Sequence, residues 1–136
     1  MTFTPAAADT LLSLFQDTQT TPEDYDLIVS GDLGQVGHDL LMQLMREQRT
    51  PLTPEKYVDC GLMIFDREGQ DVHAGGSGCG CSAAVLCGHL LPKIQRGDYR
   101  RVIFMATGAL MSLTSSQQGE SIPGIAHAVV LETPKE

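Results

Sequence analysis

The chain has 136 residues, 42% of them apolar and 19% charged, enough for one sizeable core and too few for two. Seventeen acidic against nine basic residues give a formal charge of -8, which repels phosphate backbones and anionic lipid surfaces and argues against nucleic acid or bare membrane as partners. No apolar run reaches the length of a spanning helix and the start lacks the basic residues of an export signal, so a soluble, cytosolic chain is expected.

Thr4 and Pro5 read as an N-cap and first helical residue, and Ala7, Leu11, Leu14 and Phe15 follow at helical spacing, predicting a first helix to about Gln16. Turn chemistry precedes Leu27-Ile28-Val29, a continuous apolar run of the kind buried in a parallel sheet. Val36, Leu40, Leu41, Leu44 and Met45 predict a second amphipathic helix ending near Gln48, with Pro51 and Pro54 barring its continuation. The segment CGLMIF from Cys60 reads as part of a loop. The glycine-dense stretch from His73 to Ser82 opens a third helix, in which Ala83, Cys87, Leu90 and Ile94 should share a face and Pro92 should loosen the turn before it. Val102 to Met105 and Ala126 to Leu131 read as strands, joined by a connection too long and polar for a tight hairpin. The alternation predicts a layered α/β domain.

The glycine stretch carries the strongest local chemistry. Glycines let backbone approach a ligand closely, and unpaired N–H groups at a helix start suit a carboxylate, so Gly75, Gly76, Ser77 and Cys79 are candidate ligand contacts. Close packing of the glycines against a neighbouring element is the competing explanation. His73 precedes them and can donate to a carboxylate, whereas His89 and His127 read as structural. Asp32 and Asp59 sit beside predicted strands and either could face a pocket, although turn formation is an equal alternative, and Glu120 in the long connection is equally ambiguous. Cys60, Cys79, Cys81 and Cys87 read as reduced thiols, because Cys-x-Cys spacing supplies neither a staple nor a zinc site; no nucleophile, metal site or cofactor is nominated.

Three stretches, DYDLIVSGDLGQVG (24–37), DVHAGGSGCGCSAAVLCG (71–88) and QQGESIPGIAHAVVLE (117–132), resemble the stage V sporulation protein AD family of the thiolase-like superfamily. The resemblance implies the C-terminal half of a thiolase-like fold, a layered mixed sheet with packed helices lacking its first strand, as a single half-domain. It also implies that the nucleophile-bearing half lies outside these residues. Where a transferase in that superfamily would have a His after the first strand seen here, this sequence has Ser30-Gly31-Asp32, so a non-catalytic role is expected. The family's known role is binding dipicolinic acid, pyridine-2,6-dicarboxylate, with calcium as its companion ion, during uptake into the forespore. Its expected partners are the other stage V A proteins at the forespore membrane and a first-half domain or a second copy. His73 stands where related enzymes polarise a thioester carbonyl, which strengthens it, with Gly75, Gly76, Ser77, Cys79, Asp32 and Asp59, as a ligand contact. An acyl-transferase half and a purely structural docking subunit are the competing functions.

Overall fold

The computed structural model describes residues 3–76, 80–109, 117–119 and 124–134. Helix α1 (Phe3–Thr18) is followed by a 3-10 turn (Pro22–Asp24), strand β1 (Leu27–Ser30), helix α2 (Gly34–Glu47), strand β2 (Tyr57–Asp59) and the one-turn helix α3 (Cys60–Met63). A composite helix follows: α4 (Cys81–Val85), a π-helical turn (Leu86–Leu90) and α5 (Leu91–Gln95) run end to end into strands β3 (Arg101–Ala109) and β4 (Gly124–Glu132).

The sheet order is β2-β1-β3-β4, with β1 parallel to both neighbours and β3 antiparallel to β4. Successive strand side chains point to opposite faces, and β1 divides accordingly. Ile28 joins Ile103, Met105 and Ala126 beneath α1 and α2, while Leu27 and Val29 join Val102 beneath the composite helix. A sheet buried on both faces needs a continuous apolar run in its inner strand, which explains Leu27-Ile28-Val29. Strand β4 places the small Ala126 under α1, where the Thr10 hydroxyl donates to the Ala126 carbonyl at 2.8 Å. Its other face leaves Ile125, His127 and Val129 exposed.

The predicted layered α/β architecture is observed, with several differences in detail. Thr4 lies inside the first turn of α1, fully enclosed, and its hydroxyl has no hydrogen-bond partner among the described residues. The segment expected as a loop contains β2, which registers Val58 against Val29 and Asp59 against Ser30, and α3. In the composite helix the buried positions are Cys81, Val85, Leu90 and Ile94, and Ala83 and Cys87 are exposed. The cause is Pro92, which has no N–H and crowds the carbonyl four residues back. Widening to a π turn, in which the Leu91 N–H reaches back to the Leu86 carbonyl, accommodates the ring and adds one residue between Val85 and Leu90.

Candidate functional site

Strands β1 and β2 end side by side at Ser30 and Asp59, and most of the candidate residues gather at this carboxyl edge of the parallel strands. Open α/β sheets bind ligands at such edges. Asp59 is the last residue of β2 rather than a loop residue, and it is 1% exposed. Its Oδ1 accepts the Ser30 hydroxyl at 2.5 Å and the Leu33 N–H at 2.9 Å, and its Oδ2 accepts the Gly34 N–H at 3.1 Å. Because the Ser30 hydroxyl proton goes to Asp59, the 2.7 Å contact between Ser30 and Tyr57 requires the Tyr57 hydroxyl to donate. The result is a buried chain, Tyr57 to Ser30 to Asp59, that fastens the start of α2 to the sheet. Burial, first, and then the negative charge of Asp59 hold the Tyr57 hydroxyl well above the ordinary phenol range, although its hydrogen bond with Ser30 opposes the shift. His38 stacks on the Tyr57 ring, with centroids 4.5 Å apart.

Asp32 lies in the turn after β1, half-buried, and accepts the Thr107 hydroxyl at 3.0 Å, which ties that turn to β3. Beside it, Gly31 packs near the Ser82 side chain at the start of α4.

The glycine loop closes over the same edge. The Gly76 N–H donates to the Gly61 carbonyl at 2.6 Å, the Gly75 N–H to the Val72 carbonyl at 2.9 Å, and the Ala74 carbonyl accepts the Gln35 N–H at 2.8 Å. A Cβ on Gly61 would stand 2.2 Å from the Gly76 carbonyl oxygen, and one on Gly75, whose φ is +118°, would stand 2.5 Å from the Gly61 carbonyl oxygen. Backbone therefore lies directly on backbone here, the close packing weighed above as the alternative to ligand contact. Ser77 and Cys79 lie outside the described residues, as does Glu120. His73 is on the outer fringe, its side chain 89% exposed, with φ +47° and its Nε2 3.7 Å from the Asp71 carboxylate. The structure thus brings Asp32, Asp59, Gly75 and Gly76 to one edge and sets His73 outside it. Ser30, Tyr57 and Gly61 belong to this constellation and were missed in the sequence, because their partners lie 15 to 29 positions away. Among the described residues no cluster of three or more His, Cys, Asp or Glu could hold a metal ion.

Two thiols sit under this edge. Burial, then the negative charge of Asp59, pushes the Cys60 thiol up to about 12, and burial likewise raises Cys81. Both are protonated near neutrality and poor nucleophiles, whereas Cys87 is exposed. A disulfide reagent applied to the native chain is expected to modify Cys87 rapidly and to reach Cys60 and Cys81 only on unfolding, as read by peptide mass spectrometry; early modification of Cys60 would contradict this placement. The folded state binds the Cys60 proton more tightly than the unfolded state. That contribution to stability is complete below the ordinary thiol pKa of about 8.5 and is lost as pH rises toward the folded value. Cys60→Ala should therefore flatten the alkaline fall in stability.

A mixed four-stranded sheet between helices, with a buried hydroxyl–carboxylate chain at the carboxyl edge of its parallel strands, defines a layered α/β protein with its candidate site at the strand ends. The sequence matches the family described as Stage V sporulation protein AD (SpoVAD) over residues 1–132. It is 48% identical over 128 residues to Stage V sporulation protein AD of Bacillus subtilis (strain 168), covering 94% of this chain and 37% of that protein. The chain belongs to the stage V sporulation protein AD family, and it spans little more than a third of the length of that relative. Among the described residues no helix is long and apolar enough to cross a membrane.

Proposed function

We propose that this chain is a non-catalytic binding component for the uptake of dipicolinic acid into the forespore during sporulation. It acts beside the forespore inner membrane through the other stage V A proteins, on a thiolase-like scaffold of which these residues form the second half. Family membership is the observation that carries the reading. With the 3-10 turn and the one-turn α3 set aside, the element order helix, strand, helix, strand, helix, strand, strand supports a half-domain of alternating helices and strands.

The site's chemistry supports binding over acyl transfer. Acyl transfer needs an activated nucleophile with a base or proton donor in reach. At the end of β1, where a transferase His would stand, the Ser30 hydroxyl is committed to Asp59, and the thiols of Cys60 and Cys81 are held protonated. The ligand, on this reading, lies over the edge formed by Asp32 and the glycine loop, with His73 at its mouth and a first-half domain or a second copy closing the other side. With the Gly75 and Gly76 N–H groups engaged within the fold, the loop contributes close approach there and His73 the charge-assisted hydrogen bond to a carboxylate.

The test is made in a spore former that carries this chain within its complete assembly. Removing the gene should empty the spores of dipicolinate, and a His73→Ala allele should weaken dipicolinate binding by more than about 1 kcal/mol in calorimetry of the assembly, the scale of one hydrogen bond to a charged group. His89→Ala should leave binding unchanged. Spores of normal dipicolinate content without the gene would overturn the reading, and equal losses from both His variants would make the His73 effect one of stability.

A further inference from the structure

The His73 imidazole is exposed, and its one ion-pair contact among the described residues is Asp71, itself exposed, so the side chain does not fix its own place beside the site. The His73 backbone has φ +47°, a conformation that a residue with a Cβ adopts only when its surroundings impose it. The group in position to impose it is Arg67.

The chain reverses after α3 in a turn that closes on itself. Asp66 Oδ1 accepts the Glu68 N–H at 3.2 Å and the Gly69 N–H at 3.3 Å, the Gln70 N–H donates to the Asp66 carbonyl at 2.8 Å, and the Asp66 N–H donates to the Gln70 side-chain oxygen at 2.9 Å. An Asp side chain that accepts from the residues just after it stabilises a turn of this kind. Arg67 stands within the turn, and its guanidinium reaches in two directions. Nε donates to the His73 carbonyl at 3.4 Å, and Nη1 donates to the Gln35 side-chain oxygen. Gln35 lies in the first turn of α2, where its Nε2 donates to Asp39 at 2.7 Å and its main-chain N–H donates to the Ala74 carbonyl at 2.8 Å. That N–H is one of those a helix start leaves without an intrahelical partner. One planar group therefore ties His73 to the same residue of α2 that receives Ala74, and the fixed fork of a guanidinium suits it to holding two acceptors at once.

We propose that Arg67 is a positioning residue of the site, pinning the His73 carbonyl to α2 so that the loop keeps the left-handed conformation that sets the imidazole at the mouth. What the held imidazole does rests on the ligand reading proposed above; the holding itself rests on the two hydrogen bonds. Arg67 acts through His73 and does not touch the ligand. With Asp66 next to it in the chain and Asp39 on the far side of Gln35, its surroundings are acidic, which suits a latch and not an anion site.

Two measurements separate holding from contact. In hydrogen exchange of the full chain read by NMR, Arg67→Ala should speed exchange of the Gln35 amide at least about tenfold while the amides of β1 and β3 keep their rates. In calorimetry of the complete assembly, Arg67→Ala should weaken dipicolinate binding about three- to fivefold, no more than His73→Ala does, and should add less than about twofold in a His73→Ala background. Arg67→Lys, which keeps the charge without the fork, should recover part of both effects. An equal loss from Arg67→Ala in both backgrounds would mean that the guanidinium meets the ligand directly, and an unchanged Gln35 amide would mean that the loop holds itself; either result overturns the proposal. An assembly that binds no dipicolinate, or binds it equally well after His73→Ala, overturns instead the reading on which the inference rests, and the Gln35 amide then decides alone whether Arg67 is the latch.

Discussion

Asp59→Ala is expected to cost about 3 kcal/mol or more of folding stability, the largest loss of any single polar truncation among the described residues. The change leaves the Ser30 hydroxyl and the Leu33 and Gly34 N–H groups without their acceptor, and each buried donor left unmade costs about 1–3 kcal/mol. Asp59→Asn keeps the volume and one acceptor oxygen, so its loss should be smaller. Tyr57→Phe should cost about 1 kcal/mol, since it removes only a donor, and Ser30→Ala about 1–3 kcal/mol, since it leaves Asp59 its two main-chain partners but strands the buried Tyr57 hydroxyl. Urea denaturation of the four variants gives the order directly. An Asp59→Ala loss no greater than that of Ser30→Ala would mean that water replaces the missing carboxylate and that the chain does not fasten α2.

Gly61→Ala should cost about 2–3 kcal/mol through overpacking, although it adds one methyl group. Its Cβ would meet the Gly76 carbonyl oxygen at 2.2 Å and Asp59 Oδ2 at 2.9 Å, and neither is the free end of a flexible side chain. Relief requires the glycine loop to lift from α3, so the Gly76 amide, which donates to the Gly61 carbonyl, should lose its protection from hydrogen exchange. Gly80→Ala provides the contrast. Nothing lies within 4 Å of its Cβ and its backbone is already helical, so stability should stay within about 0.5 kcal/mol. Retained protection at Gly76 in the Gly61 variant would show that the loop accommodates the methyl without moving.

The readability of the sequence followed the range of the interactions involved. Strand β1, helices α1 and α2, and the two long strands announce themselves in runs of local hydrophobicity, and each was recovered to within a few residues. Strand β2 was not, because three residues after Pro51 and Pro54 are too few to show a period, and its identity comes from pairing with β1. The composite helix was found but its buried face was misread. A strict helical period selects Ala83, Cys87, Leu90 and Ile94, whereas the π turn breaks the period and buries Cys81 and Val85 with the last two. At the site, the glycines signalled close approach, and the sequence could not say to what. Gly61 answers for Gly75 and Gly76, and Asp59 acts on a helix start that is distant in sequence. Asp32 finds its partner, Thr107, 75 positions away.

The π turn at Leu86–Leu90 also bears on how relatives of this chain diverge. An extra residue held inside a helix is an insertion that leaves both ends of the helix seated, and here its presence is tied to the ring of Pro92. Descendants of a common ancestor should therefore gain or lose the two together. A relative with an ordinary residue in place of Pro92 is expected to carry a one-codon gap between the counterparts of Val85 and Leu90, with the counterparts of Cys81 and Ile94 still apolar. A relative that keeps the proline but has lost the residue would have to turn its second half-helix by about 100° relative to the first, exposing what Leu90 and Ile94 now bury.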